Sequence, residues 1–241
     1  MSFTTFADIY DRINGNAYKP YAEMLMSDFQ KADIKVKEVL DLGCGTGGIC
    51  AILADNGYDM VALDISPEML NYARERNYGK NTLLLCQDMR EFELYGTVQA
   101  VYSSFDCLNY LTERCDLETV FSLVHNYLES GGVFIFDVNT EYRYKEIMDG
   151  QSYVYEFDDS LTVWRSVFSE DSETCEFMID TFSELENGDY FRSCEQQIQK
   201  LHKKQDILAA AKGFSLVSVT GGKGFDGCTE PEKEYYIFKR D

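Results

Sequence analysis

The chain has 241 residues, 45% of them hydrophobic, enough to bury a sizeable core as one domain with room for an insertion. Its formal net charge of −20 argues against nucleic acid as the main substrate, because phosphate contacts need a basic face. The start Met1-Ser2-Phe3-Thr4-Thr5 lacks the basic and apolar blocks of a targeting signal and no apolar run approaches bilayer-spanning length, so a cytoplasmic protein without a membrane segment is expected.

Residues 1–35 read as helical and aromatic, with Tyr10, Tyr18 and Tyr21 beside Asp8, Asp11 and Arg12. An apolar strand over 37–42 is followed by a helix over 48–56 and a second strand over 60–64. Ser66-Pro67-Glu68 then opens another helix with a capping serine, a first-turn proline and an early acid. Strands over 82–87 and 98–103 continue the rhythm. An amphipathic helix over 116–129, stopped by Gly131-Gly132, leads to the buried strand Val133-Phe134-Ile135-Phe136. Such alternation predicts a parallel sheet covered by helices on both faces.

From 152 to about 199 the period changes to two, as in Tyr153, Tyr155, Phe157 and in Val163, Arg165, Val167. Turn signals at Asp158-Asp159-Ser160 and Glu186-Asn187-Gly188-Asp189 divide the segment into three or four antiparallel strands. Residues 151–200 hold twelve acids against Arg165, Arg192 and Lys200, a net charge of −9 that would repel RNA or an anionic membrane. A helix over 203–212 ended by Gly213, and strands over 214–219 and 234–239, close the chain. Between those strands, Gly221-Gly222-Lys223-Gly224 lacks the hydroxyl residue and helix start of a phosphate cradle, and reads as a turn.

The eight cysteines show no C-x-x-C spacing and sit mostly in apolar patterns, as reduced core residues do. His125 and His202 have no partner at metal-ligand spacing, so no metal site is expected.

The most informative stretch is Val39-Leu40-Asp41-Leu42-Gly43-Cys44-Gly45-Thr46-Gly47-Gly48, a strand end, an acid, a glycine turn and a helix start. The glycines let backbone N–H groups approach a bound molecule, and the helix turns its positive end toward it. Gly43, Gly45 and Gly48 also satisfy the dinucleotide pattern, with Asp64 near the ribose position. Charge separates the two readings: Asp41 would repel a pyrophosphate over the turn but favours a sulfonium and an ammonium group. Asp41, Gly43, Gly45 and Gly47 follow acid-x-Gly-x-Gly-x-Gly without a gap, and Asp64 and Asp88 end the next two strands. In these features residues 36–140 resemble the class I S-adenosylmethionine-dependent methyltransferases.

The resemblance implies an α/β, doubly wound Rossmann-like sheet of seven strands in order 3-2-1-4-5-7-6 with the last antiparallel. Residues 1–150 and 200–241 would form the core with an N-terminal helical cover, and 151–199 an inserted antiparallel β lid. It further implies that Asp41, Gly43, Cys44 and Gly45 surround the methionine part of S-adenosylmethionine, with Ser104 and Tyr18 nearby. Asp64 would take both ribose hydroxyls, Ile65 and Met69 the adenine face, and Asp88 and the Met89 backbone the adenine edge. Taken singly, Asp64 or Asp88 reads equally well as a helix-capping acid instead.

After the fourth strand, Ser104-Phe105-Asp106-Cys107-Leu108-Asn109-Tyr110 lacks the Asn/Asp-Pro-Pro-aromatic signature of enzymes acting on DNA bases or protein amides. Its Asp-x-x-Asn-Tyr stretch is similar to bacterial small-molecule methyltransferases, which makes Asp106, Asn109 and Tyr110 the candidate catalytic residues. Asp106 orients or deprotonates an acceptor, or caps the next helix. Tyr153, Tyr155 and Trp164 suit either a wall for an amine or cationic acceptor or simply the core of the added sheet. Monomer and homodimer both stay open. A catalytically inactive cofactor-binding or regulatory protein and a NAD-dependent oxidoreductase are the rival functions.

The charge argument makes a direct prediction. Calorimetry should detect binding of S-adenosylmethionine and S-adenosylhomocysteine and none of NAD; tight NAD binding with silence toward S-adenosylhomocysteine would reverse the reading.

Overall fold

The computed structural model describes residues 6–113, 115–185, 187–222 and 230–241. The targeting-signal reading of residues 1–5, Glu186 of the second hairpin turn, Cys228 and the Lys223-Gly224 part of the glycine-rich turn lie outside the described residues.

The chain begins with α1 (Phe6–Phe29), then alternates β1 (Glu38–Leu42), α2 (Gly48–Asp55), β2 (Asp59–Asp64), α3 (Pro67–Arg76), β3 (Thr82–Cys86) and β4 (Val98–Ser103). A 3-10 turn (Cys107–Tyr110), α4 (Asp116–Tyr127), β5 (Leu128–Asn139) and a π turn (Arg143–Met148) follow. Next come β6 (Ser152–Phe157), β7 (Ser160–Ser169), β8 (Thr174–Glu184) and β9 (Tyr190–Lys200), and finally α5 (Lys204–Ala210), β10 (Phe214–Gly222) and β11 (Lys233–Arg240).

Seven strands form one sheet in the order β3-β2-β1-β4-β5-β11-β10. β1 to β5 are parallel, whereas β11 runs antiparallel to both β5 and β10. With β10 and β11 as sixth and seventh strands, this is the expected 3-2-1-4-5-7-6 order. The period-two segment forms a separate antiparallel sheet, β6-β7-β8-β9.

Each face of the main sheet is sealed by helices, which is why its strands are apolar on both sides. On one face α4 and α5 cover Phe134, Phe136 and Phe238. On the other, Tyr21, Leu25 and Phe29 of α1 and Ile49 and Leu53 of α2 pack on Val39, Tyr102 and Ile135. A third cluster joins Tyr144 and Met148 of the π turn to Cys175, Phe177 and Ile179 of the second sheet, and Phe6 packs against it. Ser66 caps α3 as its sequence foretells, its hydroxyl accepting from the Met69 N–H at 3.2 Å. No helix among the described residues is long and apolar enough to cross a membrane.

One boundary differs from expectation. α4 stops at Tyr127, and Gly131-Gly132 lie inside β5 rather than ending the helix. Leu128 is fully buried and pairs with Val98, and the register then shifts before Ala100 meets Val133. A side chain on Gly132 would press on the Gln99 carbonyl oxygen at 2.7 Å, so the close approach of β4 demands glycine there.

Phe121 of α4 sits edge-on to Phe134, Phe136, Phe214 and Phe238, with ring centroids 5.3 to 5.8 Å apart. Phe121→Ala should cost about 3–5 kcal/mol of stability, read as a lower urea midpoint at an unchanged slope.

Candidate active site at the carboxyl edge of the sheet

The parallel strands β1, β2, β3, β4 and β5 all deliver their carboxyl ends to one edge, and the predicted site residues collect there. Gly43, Gly45 and Gly47 adopt positive φ of 85°, 53° and 72°. The Gly43 and Cys44 N–H groups donate to the Leu63 carbonyl at 2.9 and 2.8 Å, so β2 holds the turn after β1. Two glycines are required sterically: a Cβ at Gly43 would lie 2.1 Å from the Cys107 sulfur, and one at Gly48 would lie 2.3 Å from the Tyr18 ring.

The strand-end acids differ in their partners. Asp41 is buried, and its Oδ2 accepts the Tyr102 hydroxyl at 2.5 Å, while its Oδ1 has no hydrogen-bond partner among the described residues. Burial pushes its carboxyl up to about 8, opposed by the Tyr102 hydrogen bond and reinforced by the facing Asp64 carboxylate. Asp64 accepts the Gly45 N–H through Oδ2 and the Ser66 N–H through Oδ1, both at 2.8 Å. It therefore ties the glycine turn to the start of α3, while each oxygen keeps room for a further donor. Burial raises its carboxyl also, against those backbone donors. Asp88 accepts Arg90 Nε at Oδ1 and Arg90 Nη2 at Oδ2, a grip on both oxygens that lowers its carboxyl.

A cavity of about 340 Å³ lined by Ile65, Cys86, Gln87, Asp88, Glu91 and Glu93 opens beside the ends of β2 and β3. Ile65 is 64% exposed there, an apolar surface standing ready for a flat apolar ring. Met69 and Met89 are half-buried nearby, and the Met89 methyl would lie 3.3 Å from a Cβ on Gly43. Asp41, whose second oxygen has no partner among the described residues and which a neighbouring cation would hold ionised, together with the exposed apolar platform at Ile65, fits a ligand that is cationic at one end and aromatic at the other. S-adenosylmethionine is such a ligand.

Beyond the glycine turn, the loop after β4 is built around Asp137 near the end of β5. Its fully buried carboxylate accepts the Phe105 N–H (2.8 Å), the Asp106 N–H (2.9 Å), the Tyr21 hydroxyl (2.7 Å) and the Lys233 ammonium (2.7 Å). Phe105 and Asp106 both have positive φ, 56° and 53°, a strained backbone for non-glycine residues. Lys233 also reaches the Asp106 carboxylate at 2.5 Å, and Gln199 of β9 donates to its other oxygen at 2.6 Å. Burial alone would raise the Asp106 carboxyl, but the facing charges of Lys233 and Arg143 outweigh it and the net shift is downward. Asp106 is thus held as a carboxylate.

Its two companions do different work. Asn109 is fully buried, donating to the Lys200 carbonyl at 2.7 Å and accepting the Asn139 N–H at 3.0 Å, so its amide braces the second sheet onto the first. Tyr110 donates to Gln197 at 2.6 Å from a half-exposed ring. Ser104 is buried beside them, and burial pushes the Cys107 thiol well up, which keeps it uncharged.

The cover comes from α1. Tyr18 lies on Gly48 and edge-on to Phe105, with centroids 5.7 Å apart, and Tyr10 sits 4.0 Å from where a Cβ on Gly45 would be. The sequence does not single out Asp137, Lys233 or Gln199 as site residues. Asp137 carried a usable signal, an acid ending a buried strand like Asp41 and Asp64. Lys233 and Gln199 carried none, because their partners lie far away in the chain.

Asp41 also has a measurable consequence. With its folded-state carboxyl near about 8 against the ordinary 3.8, the folded protein binds more protons than the unfolded chain between those values. Its contribution therefore makes the cofactor-free protein less stable as pH rises from about 4 to about 8. Thermal melts across this range should fall less, or rise more, with pH in Asp41→Asn than in the parent; parallel profiles would remove the effect.

A model of the methyltransferase domain family matches residues 39–132. The putative methyltransferase YqeM of Bacillus subtilis (strain 168) is 32% identical over 227 residues, 91% of this chain and 89% of that protein. The dTDP-3-amino-3,4,6-trideoxy-alpha-D-glucopyranose N,N-dimethyltransferase of Streptomyces venezuelae is 29% identical over 134 residues, 54% of this chain and 56% of that one. Among solved structures, an S-adenosylmethionine-dependent methyltransferase from Clostridium acetobutylicum ATCC 824 superposes with a TM-score of 0.85 at 26% identity, covering 98% of this chain and 97% of the other. Glycine turn, strand order and relatives agree: the chain belongs to the class I S-adenosylmethionine-dependent methyltransferases.

Proposed function

We propose that this methyltransferase acts on a small-molecule amine held between α1, the loop after β4 and the inner face of the second sheet. The observation that carries the reading is Asp106: a carboxylate kept ionised by Lys233, braced by Gln199 and presented on a strained loop beside the glycine turn. A carboxylate so paired is a weak base but a good hydrogen-bond acceptor. It orients an N–H of the acceptor so that the nitrogen lone pair lies in line with the transferred methyl, and the acceptor arrives as the neutral amine. The Streptomyces venezuelae relative, named for methylating the nitrogen of an amino sugar, supports a nitrogen acceptor.

S-adenosylmethionine supplies a methyl already electrophilic on its sulfonium, so this chain has to place, orient and exclude water. In this reading Asp41, Gly43, Cys44, Gly45, Tyr18 and Ser104 surround the methionine part. Asp64 takes the ribose hydroxyls, with Ile65, Met69, Asp88 and Met89 around the adenine. Residues 151–199 serve as the lid over the acceptor, with Tyr110 and Gln197 at its seam.

Two substitutions separate the parts. Asp64→Asn should weaken S-adenosylhomocysteine binding at least about tenfold, since charge-assisted hydrogen bonds contribute roughly 1.5–3 kcal/mol each. Asp106→Asn should leave that affinity within about twofold while turnover in a screen of small amines collapses. An active Asp106→Asn enzyme would refute the acceptor-orienting role.

A further inference from the structure

α1 makes two kinds of contact from adjacent residues. Asp11 points to the main domain: its Oδ1 accepts the Thr46 hydroxyl at 2.5 Å and the Tyr18 hydroxyl at 2.7 Å, and its Oδ2 accepts Arg76 Nη2 at 2.6 Å. Arg12 points to the second sheet, where its guanidinium forks onto Asp159 at 2.5 and 2.9 Å and lies 5.1 Å above the Phe157 ring. Phe6, at the helix start, stands edge-on to Trp164 of β7 with centroids 6.0 Å apart. The first turns of α1 thus span both covers and close over the glycine turn.

The middle of the same helix is weak. Asn14-Gly15-Asn16 is a run of poor helix formers, and Pro20 withholds the N–H that would bond the Asn16 carbonyl. No described residue lies within 4 Å of a Cβ built on Gly15, so no packing among them demands glycine there. Past this point α1 is anchored, with Tyr21, Ala22, Leu25 and Phe29 buried and Tyr21 bonded to Asp137. The first half buries Ala7 and Ile9 as well, and meets the second sheet through the Arg12–Asp159 pair and the Phe6–Trp164 contact; a free-standing glycine between two separately anchored segments is the arrangement of a hinge.

We propose that residues 6–14 are a hinged cover through which the cofactor enters and leaves, turning at Asn14-Gly15-Asn16 and latched to the second sheet by Arg12 and Asp159. The proposal rests on the cofactor lying over the glycine turn. Because the latch forms in the closed protein with or without cofactor, weakening it speeds entry and exit together and leaves affinity nearly unchanged. The lid over the acceptor thereby controls how fast the cofactor exchanges without touching it.

The chain's single tryptophan, Trp164, packs against the moving end and makes the test intrinsic. Stopped-flow fluorescence with S-adenosylhomocysteine should give association and dissociation rates both about two- to fivefold faster in Arg12→Ala and in Asp159→Asn, with no further gain in the double variant. Gly15→Ala, which favours the closed helix, should slow both rates about threefold or more. In each variant the dissociation constant should stay within about twofold and the melt should stay cooperative. Hydrogen exchange of the amides of residues 6–14 should follow the same order even where the fluorescence change is small. Unchanged rates and unchanged exchange in Gly15→Ala and Arg12→Ala would overturn the gate. So would a change confined to dissociation with a matching loss of affinity, which would make Arg12 a cofactor contact instead. A parent protein silent toward S-adenosylhomocysteine in calorimetry would remove the cofactor placement itself, and the gate with it.

Discussion

The site is organised around one buried carboxylate. Asp137 collects donors from α1, from the strained loop after β4 and from β11, and a carboxylate with no exposure is tolerable only when so supplied. The hydrogen bonds to the Phe105 and Asp106 N–H groups hold two consecutive non-glycine residues in the left-handed region, where an isolated loop would not stay. The position of Asp106 follows from that loop, and the position of Lys233 from the charge of both acids. Losing Asp137 would release cover, loop and strand together, so its effect would reach residues it never touches.

The acids at the strand ends share an origin and have separate fates. Asp41 keeps an open oxygen, Asp64 is occupied by backbone donors, Asp88 is gripped by Arg90 and Asp137 is surrounded by donors. Each fate follows from what the next few residues and the neighbouring strand supply. The same residue type at the same edge therefore serves as a waiting site, a strut, a surface pair and a hub.

Local pattern made much of this readable. Alternating apolar runs, the glycine turn and the Ser66-Pro67 cap are short-range signals, and the sheet order, α3 and the added sheet are where they point. The end of α4 was not readable, because the burial of Leu128 and the close approach of β4 at Gly132 are tertiary facts. The polar ties of the site were illegible for the same reason. Asp11 meets Arg76, Asp106 meets Gln199 and Asn109 meets Lys200, each across a separation that no window along the chain spans. Even the short-range grip of Arg90 on Asp88 shows only in the side-chain geometry.

β11 runs against its neighbours, and strand polarity decides which end of a strand does chemistry. The parallel strands can offer the site only what stands at their carboxyl ends, whereas β11 offers its first residue, Lys233, opposite Asn139. The first residue of a reversed strand thus stands at the same edge of the sheet as the last residues of the parallel ones. The described residues leading into β11 bear this out: Glu232 pairs with Arg143 and the Pro231 carbonyl accepts the Thr140 hydroxyl, so changes there reach the π turn rather than the glycine turn.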